Sequence, residues 1–298
     1  MAAVFDHTCW RAIQVDHPAD WELAVASGFG QPGVCVFGDR FSQRLSLQWK
    51  PLTYVPELEH ILDGFRQKAQ DPKSLLPLDS APPPWLGLLR KTQRGWVAQA
   101  GRFFEHNRLL VEATVVWPGR RDENLERTIL QSIDTVDTTA PTRPWRAMGL
   151  DLWIDSRMDL RSSNNQVGRV RWEFAGPQRR GPVLTVERLA LPKYWLDKPL
   201  HDWLVGEMLP GHRILHQGVL DYNGHRGHRL VSAGKVSMLS SWRGIHLLRV
   251  DAAWSCQREE RVYRVSYSEL SRQEDLALPE HFRLRCCQPS PAVVVLKA

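Results

Sequence analysis

The sequence predicts an α+β protein made of two similar domains in tandem, each an antiparallel β-sheet flanked by α-helices. Three observations predict this class. Apolar and polar residues alternate in two long hairpins, apolar residues recur at helical spacing in three other segments, and the order of these elements repeats in the two halves of the 298-residue chain. Hydrophobic residues make up 43% and charged residues 24% of the chain, which is typical of a folded globular protein.

The hairpins carry the repeat. The segment GIHLLRVDAAW (244–254) is followed, after a charged turn, by RVYRVSYSE (261–269). Residues 95–117, GWVAQAGRFFEHNRLLVEATVVW, have the same pattern, and aligning the two hairpins places Arg108 with Arg261 and Phe103 with Cys256. A position that holds Phe in one copy and Cys in the other is expected to be an apolar core position. We therefore interpret Cys256 as a packing residue and not as a nucleophile.

Three segments have helical spacing. Residues 55–70 and 122–134 carry apolar side chains at intervals of three and four, and we expect a helix in each. Residues 192–209, PKYWLDKPLHDWLVGEML, predict a third helix that places Trp195 and Trp203 on one face. The dipeptide Asn223–Gly224 predicts a tight turn between two further strands.

The domain boundary is expected near the middle of the chain. Residues 134–145 are rich in Thr, Pro and Asp and have no apolar periodicity, which indicates a linker. We predict a first domain over residues 1–138, a linker over 139–145, and a second, diverged domain with a C-terminal tail over 146–298.

Cysteine usage indicates a reducing compartment. The chain has five cysteines and no Cys-x-x-Cys pair, and residues 1–21 lack a basic region followed by an apolar core, so we expect a cytoplasmic protein. No apolar run is long enough to predict a membrane span. The adjacent pair Cys286–Cys287 could bind a soft metal or form a strained disulfide. Neighbours in a strand point to opposite faces, which favours accidental adjacency.

Charge is uneven along the chain. Residues 1–140 have a net charge of −2 and residues 141–298 a net charge of +8. A basic half could bind nucleic acid, and this is one alternative function. The basic residues are interleaved with acidic ones, however, and no run of five like charges occurs, so nucleic-acid binding is not the leading hypothesis.

Histidines give the second alternative, a metal-binding protein or hydrolase. The candidate metal ligands are His212, His216, His225 and His228. The chain has no His-Glu-x-x-His motif, no phosphate-binding loop and no Gly-x-Ser-x-Gly elbow, and turn histidines are usually exposed to solvent. We therefore expect no cofactor and no enzyme activity.

Each half resembles the PsbP-like α/β sandwich, the fold of the photosystem II extrinsic protein PsbP, the Ran-binding Mog protein and the DcrB and EagR-type chaperones. The shared pattern is an initial segment with a Trp (PADWEL), an amphipathic helix, a long hairpin (residues 95–117) and a closing helix (LERTILQSI). The likeness covers residues 10–135 and, less well, 147–270, where the closing helix is missing. The resemblance implies a non-catalytic module that binds a partner.

The leading hypothesis is a non-catalytic adaptor or chaperone that binds another protein or a peptide segment. The residues predicted to contact the partner are Trp85, in a Pro-rich loop, and Trp195 and Trp203, on the third predicted helix. Large aromatic side chains are the usual anchors of protein interfaces. Bound zinc or iron would favour the histidine alternative, and steeply salt-dependent binding would favour nucleic acid.

Overall fold

The computed structural model describes residues 4–27, 32–68, 74–178, 181–234, 245–271 and 276–287. These residues fall into two compact units. Among the described residues, the first unit extends to Thr138 and includes Trp145–Met148, and the second comprises Thr139–Pro144 and Gly149–Cys287. No helix among the described residues has the length and apolar character needed to cross a membrane.

The structure is mostly β, so the expected α+β class is wrong. Strands account for 56% and helices for 12% of the described residues, with three α-helices and antiparallel sheets. Helical spacing in the sequence is confined to short segments, whereas period-2 alternation extends through most of both halves. In addition, residues 276–287 contain no counterpart of the helix that closes the first unit.

The described residues of the first unit form ten strands and two helices up to Thr135. In chain order they are β1 (Phe5–Trp10), β2 (Ile13–Pro18), β3 (Glu22–Ala26), β4 (Gly33–Gly38), β5 (Gln43–Pro51), α1 (Leu58–Lys68), β6 (Leu75–Pro77), β7 (Leu86–Thr92), β8 (Gly95–Phe104), β9 (Leu109–Pro118), α2 (Glu123–Ser132) and β10 (Asp134–Thr135).

The remaining elements follow the same order except for the closing helix, which has no counterpart among the described residues. They are β11 (Thr142–Ala147), β12 (Leu150–Asp155), β13 (Asp159–Gln166), β14 (Arg169–Ala175), β15 (Val183–Ala190), a 3-10 turn (Pro192–Tyr194), α3 (Leu200–Gly206), β16 (Arg213–Tyr222), β17 (His225–Gly234), β18 (His246–Cys256), β19 (Arg261–Ser271) and β20 (Arg283–Leu284).

Each unit contains a seven-stranded antiparallel sheet, and the two sheets have the same strand order. The order is β3-β4-β5-β9-β8-β7-β6 in the first unit and β13-β14-β15-β19-β18-β17-β16 in the second. A helix is inserted at the same place in both, α1 before β6 and α3 before β16. In addition, β10, β2 and β1 are neighbours in a second sheet of the first unit, and β12 pairs with β20 in the second unit.

The long hairpins align with a shift of one residue from the sequence prediction. Cys256 pairs with Arg261 at the end of one hairpin, and Phe104 pairs with Leu109 at the end of the other. Cys256 therefore corresponds to Phe104 and not to Phe103. A shift of one residue exchanges the two faces of a strand, and Phe104, like Cys256, is buried. The burial of Cys256 that the sequence predicts is present.

The third predicted helix is interrupted. Pro192–Tyr194 form a single 3-10 turn, and α3 begins only at Leu200, directly after Pro199. Proline inside a helix lacks an N–H donor and clashes with the preceding turn, so residues 192–209 cannot form one continuous helix. Trp195 consequently lies in a loop, whereas Trp203 lies on α3.

The helices cover equivalent parts of the two seven-stranded sheets. On the first sheet, Ile61 and Phe65 of α1 pack against Leu88 and Leu110. On the second sheet, Leu204 of α3 is fully buried against β17 and β18. Burying a Leu or Phe side chain stabilises a fold by about 1.5–3 kcal/mol, so these short helices are held by tertiary packing.

Candidate functional site

The three tryptophans that the sequence selects as partner contacts lie in different environments. Trp85 is 3% exposed in the first unit and packs edge-on against Phe104, with ring centroids 6.3 Å apart. In the second unit Trp195 is 36% exposed, and Trp203 is half-buried. The fold thus brings Trp195 and Trp203 together near the surface and leaves Trp85 in the core.

A cluster of exposed apolar side chains follows β15. Leu191 is 44% exposed and Tyr194 is 76% exposed, and both lie in the same turn as Trp195. We call Leu191, Tyr194, Trp195 and Trp203 the aromatic ridge. Large apolar side chains that are exposed singly are ordinary, but a contiguous group at one place often marks an interaction surface.

The backbone of the aromatic ridge is fixed. The Tyr194 N–H donates to the Leu191 carbonyl, and the Trp195 indole N–H donates to the Ala190 carbonyl over 2.7 Å. Leu191 has a φ of 51°, in the left-handed region that non-glycine residues rarely adopt, and its N–H donates to the Glu260 carbonyl. Such a conformation costs on the order of 1–3 kcal/mol and persists where the surroundings impose it.

Trp195 packs against a column of side chains formed by Trp203 and Arg264, with the two indole rings tilted by 58°. Its ring centroid lies 5.6 Å from that of Trp203, and the guanidinium of Arg264, on β19, lies 5.9 Å from the Trp203 ring. Trp203 also packs against the buried cluster that includes Leu204 and Leu230. The Trp195 side chain is therefore already packed against Trp203 in the absence of a partner.

A buried ion-pair network anchors this column. Arg264 contacts Glu207 over 2.9 Å, Asp251 over 3.1 Å and Glu187 over 3.4 Å. Burial alone would raise the pKa of Asp251, but hydrogen bonds from Arg249 and the charges of Arg249 and Arg264 outweigh it and lower that pKa below its ordinary value. Asp251 is thus ionised at neutral pH and holds both arginines in place.

The four histidines proposed as metal ligands do not form one group. His212 contacts Ser232, His216 lies on the exposed side of β16, and His228 packs edge-on against His201, with centroids 5.4 Å apart. Among the described residues, only His225 belongs to a set of three or more converging ligand atoms. Of the four histidines in the metal hypothesis, only His225 therefore remains a candidate ligand.

The set around His225 contains three cysteines. The ligand atoms of His225, Cys256, Cys286 and Cys287 all lie within 4.8 Å of one another, and we call this group the thiol–imidazole cluster. His225 Nε2 is 3.2 Å from Cys287 Sγ. Cys256 and Cys286 are buried, and Cys287 and His225 are half-buried. Burial raises the pKa of the Cys286 thiol to about 12, and burial also raises that of Cys256.

The backbone at Cys287 is what directs both neighbouring thiols into the cluster. Two successive residues of an extended strand point to opposite faces. Cys287 instead has a φ of 47°, so the chain turns there and both sulfur atoms reach the same group. The sequence-based expectation that Cys286 and Cys287 diverge is therefore wrong.

The segment that carries the two cysteines is tied to the β16–β17 hairpin. The Leu284 N–H donates to Tyr222 Oη over 2.8 Å, and Asn223 Nδ2 donates to the Leu284 carbonyl over 2.9 Å. The Tyr222 ring stacks on Trp254 with centroids 4.2 Å apart. These contacts place β20 beside the end of β18, where Cys256 lies.

A basic pocket occupies the other side of β20. A cavity of about 300 Å³ is lined by Pro141, Thr142, Trp153, His281, Arg283 and Arg285. The Arg285 guanidinium lies 4.2 Å from the Trp153 ring. Leu284 is buried while Arg283 and Arg285 are exposed, as the alternation along a strand requires.

Elsewhere in the second unit, much of the positive charge is paired with carboxylates. Arg169 contacts Glu187 over 2.5 Å and Arg157 contacts Asp155 over 2.6 Å. Arg143 contacts Asp159 over 3.0 Å. Basic side chains that are paired with carboxylates are less available to contact phosphates, so these contacts do not favour the nucleic-acid alternative.

No protein-family profile matches the chain, and no curated protein matches it. Among solved structures, it is similar to the type VI secretion immunity protein TplEi of Pseudomonas aeruginosa. The complex of that protein with an "L" peptide matches with 12% identity and a TM-score of 0.37, covering 92% of this chain and 90% of that one. The apo form matches with 13% identity and a TM-score of 0.39, covering 90% and 88%. At TM-scores this low the likeness does not establish a common fold. Neither structure is of the PsbP-like family, and that resemblance stays a prediction.

Proposed function

We propose that the protein is a binding module for another protein, and that the aromatic ridge is its contact surface. The observation that carries the proposal is the position of Trp195, which is exposed yet held by a hydrogen bond and by the Trp203 ring. Interface hot spots are rich in Trp and Tyr because these side chains bury a large area and lose little conformational freedom.

The ridge is suited to an apolar segment of the partner. Leu191, Tyr194 and Trp195 present apolar surface, while the nearby Lys193 is paired with Glu260 over 3.3 Å. Protein interfaces commonly have an apolar centre and a polar rim, and here the rim charge of Lys193 is neutralised by Glu260. Rigid support of Trp195 lowers the entropic cost of binding, since its rotamer is already fixed.

Site-specific photo-crosslinking tests the proposal. A benzophenone amino acid replaces Tyr194 in the aromatic ridge or, as the control, Tyr54 in the first unit, which is 65% exposed. In cells of the source organism, irradiation of the Tyr194 variant is expected to give one discrete adduct, which mass spectrometry identifies as a protein. Adding Trp195→Ala is expected to remove the adduct while the melting temperature changes little, because that side chain is partly exposed.

Two outcomes would overturn the proposal. One is the absence of an adduct at Tyr194 in cells that express the protein normally. The other is an adduct that persists in the Trp195→Ala variant or forms equally at Tyr54, since the ridge would then not be what the partner contacts.

A further inference from the structure

The thiol–imidazole cluster is chemically distinct from the rest of the protein. It brings together three of the five cysteines from two separate segments of the second unit, 30 residues or more apart, and adds one imidazole. The other two cysteines, Cys9 and Cys35, lie in the first unit and belong to no such group within the part of the chain that the structure describes. Three thiols and one imidazole form a ligand set found in structural zinc sites.

We propose that Cys256, Cys286, Cys287 and His225 bind one Zn²⁺ ion. Four protein ligands would fill a tetrahedral coordination sphere and leave no position for water or substrate, so the site is structural and not catalytic. Binding converts three thiols to thiolates and releases their protons to solvent. The proposal is independent of the aromatic ridge and its partner.

The distances fit a tetrahedral ion. With Zn–S near 2.3 Å and Zn–N near 2.0 Å, the ligand atoms of such a site lie roughly 3.5–3.8 Å apart. Here all four lie within 4.8 Å, and the His225 Nε2 to Cys287 Sγ distance is 3.2 Å. Closure around an ion therefore requires side-chain shifts of roughly 1 Å, well within rotamer adjustment.

Neighbouring residues provide the cluster with a hydrogen-bond donor and a positive charge, both of which stabilise thiolates. The indole N–H of Trp254, which is fully buried, is directed at the Cys286 sulfur and hydrogen-bonds to it. A hydrogen bond to an ionised acceptor is stronger than one to a neutral acceptor, so this donor would stabilise a Cys286 thiolate. The Arg258 guanidinium donates to the Cys287 carbonyl over 2.9 Å and offsets the net negative charge of three thiolates and one Zn²⁺.

The carboxylate of Glu259 orients the turn at Cys287. Glu259 accepts hydrogen bonds from the Cys287 N–H and from the Tyr263 hydroxyl. It therefore holds Cys287 in the left-handed conformation that brings the last sulfur into the cluster. Outer groups that fix ligand orientation in this way are characteristic of built metal sites.

The ion would connect three strands of the second unit. His225 begins β17, Cys256 ends β18, and Cys286 and Cys287 lie two and three residues after the end of β20. β20 is only two residues long and pairs with β12 at two positions, so it has little hydrogen bonding of its own. A metal at its end supplies the attachment that the short strand lacks.

The test is metal analysis of the full chain with a matched pair of histidine variants. Protein expressed with zinc and dialysed against buffer without chelator is expected to hold close to one zinc ion per chain by inductively coupled plasma mass spectrometry. His225→Ala is expected to lower this at least tenfold. His228→Ala, three residues along the same strand but outside the cluster, is expected to leave it unchanged.

A second measurement on the unaltered protein covers the case in which His225→Ala does not fold. Apoprotein titrated with Co²⁺ is expected to develop thiolate-to-cobalt charge-transfer absorption that saturates at one equivalent, and Zn²⁺ is expected to abolish it. Zinc content below a tenth of an equivalent with no such absorption would overturn the proposal. So would equal zinc content in the two histidine variants, or a Cys256 disulfide to Cys286 or Cys287 in freshly purified protein.

Discussion

The indole N–H of Trp117 on β9 donates to Oε2 of Glu126 on α2 over 2.6 Å, and Glu126 is completely buried. The same carboxylate accepts from Arg121 over 2.6 Å and from the Ser80 hydroxyl. A charged residue in the core is tolerated only when all its hydrogen bonds are made, and here three different donors satisfy it. Glu126 thereby fastens α2 to the seven-stranded sheet of the first unit.

Glu126→Ala should destabilise the first unit strongly. The substitution leaves the buried Trp117 N–H without an acceptor and Arg121 without its main partner, and breaking a buried pair in this way costs about 3–5 kcal/mol. Urea denaturation monitored by circular dichroism measures the loss. Glu123→Ala on the same helix is the control, because that carboxylate is exposed and should cost less than about 1 kcal/mol. Equal losses in the two variants would contradict this role of Glu126.

Two glycines on neighbouring strands should respond in opposite ways to alanine. A methyl group at Gly227 would lie 2.3 Å from the Ala253 carbonyl oxygen and 2.8 Å from the Trp254 Cβ. Because these neighbours belong to the sheet itself, Gly227→Ala should force β17 and β18 apart and cost on the order of 1–3 kcal/mol. Gly218 on β16 has open space, so Gly218→Ala should be neutral or slightly stabilising. Thermal melts of both variants check the pair, and a neutral Gly227→Ala would show that these strands do not approach as closely as described.

Asp251 should make the stability of the second unit depend on pH. Its pKa in the folded protein is below the ordinary value of 3.8, so the folded state favours the ionised form. The stability that this carboxylate contributes is therefore fully present above about pH 4–5 and is lost as the pH falls toward the folded pKa. The difference in free energy of unfolding between the wild type and Asp251→Asn should be large at pH 7 and should shrink by pH 3.

The control for Asp251 is Asp202→Asn on α3, where the carboxylate is exposed. Its effect should be small at both pH values, because exposed ion pairs contribute about 0–1 kcal/mol. A wild-type to Asp251→Asn difference that stays constant from pH 7 to pH 3 would argue that the carboxylate is not ionised in the fold. These unfolding measurements use urea and not guanidinium chloride, because urea is uncharged and leaves the ionic strength fixed.

Local patterns in the sequence were sufficient for the secondary structure of many segments. The period-2 alternation of residues 95–117 and the Asn223–Gly224 turn predict hairpins that are present, and the apolar spacing of residues 122–134 predicts α2. The α+β class is wrong because the three helical patterns are short, whereas alternating patterns extend through most of both halves. Pro199, within the third pattern, was the local signal that this helix would be short.

The thiol–imidazole cluster was not predictable in the same way. His225, Cys256 and Cys286 are brought together by strand pairing over sequence separations of about 30 residues each, which spacing rules for metal motifs do not cover. The convergence of Cys286 and Cys287 depends on one backbone angle at Cys287. The signal that was available is the presence of two adjacent cysteines in a chain that has only five.

Cys256 separates a packing role from a ligand role in one experiment. As a buried side chain at the end of β18, it should cost about 1 kcal/mol when truncated to Ala if packing is its only role, because little volume is lost. If Cys256 is a zinc ligand, truncation to Ala should cost considerably more in zinc-loaded protein, since a ligand that binds only the native state adds its binding free energy to stability.

Melting temperatures of wild type and Cys256→Ala are therefore compared with zinc and after chelation. We expect a large difference between them with zinc and a small one after chelation, and Cys35→Ala, which lies outside the cluster, should show the same difference under both conditions. A small Cys256→Ala effect that chelation does not alter would return this residue to the packing role that the sequence predicts.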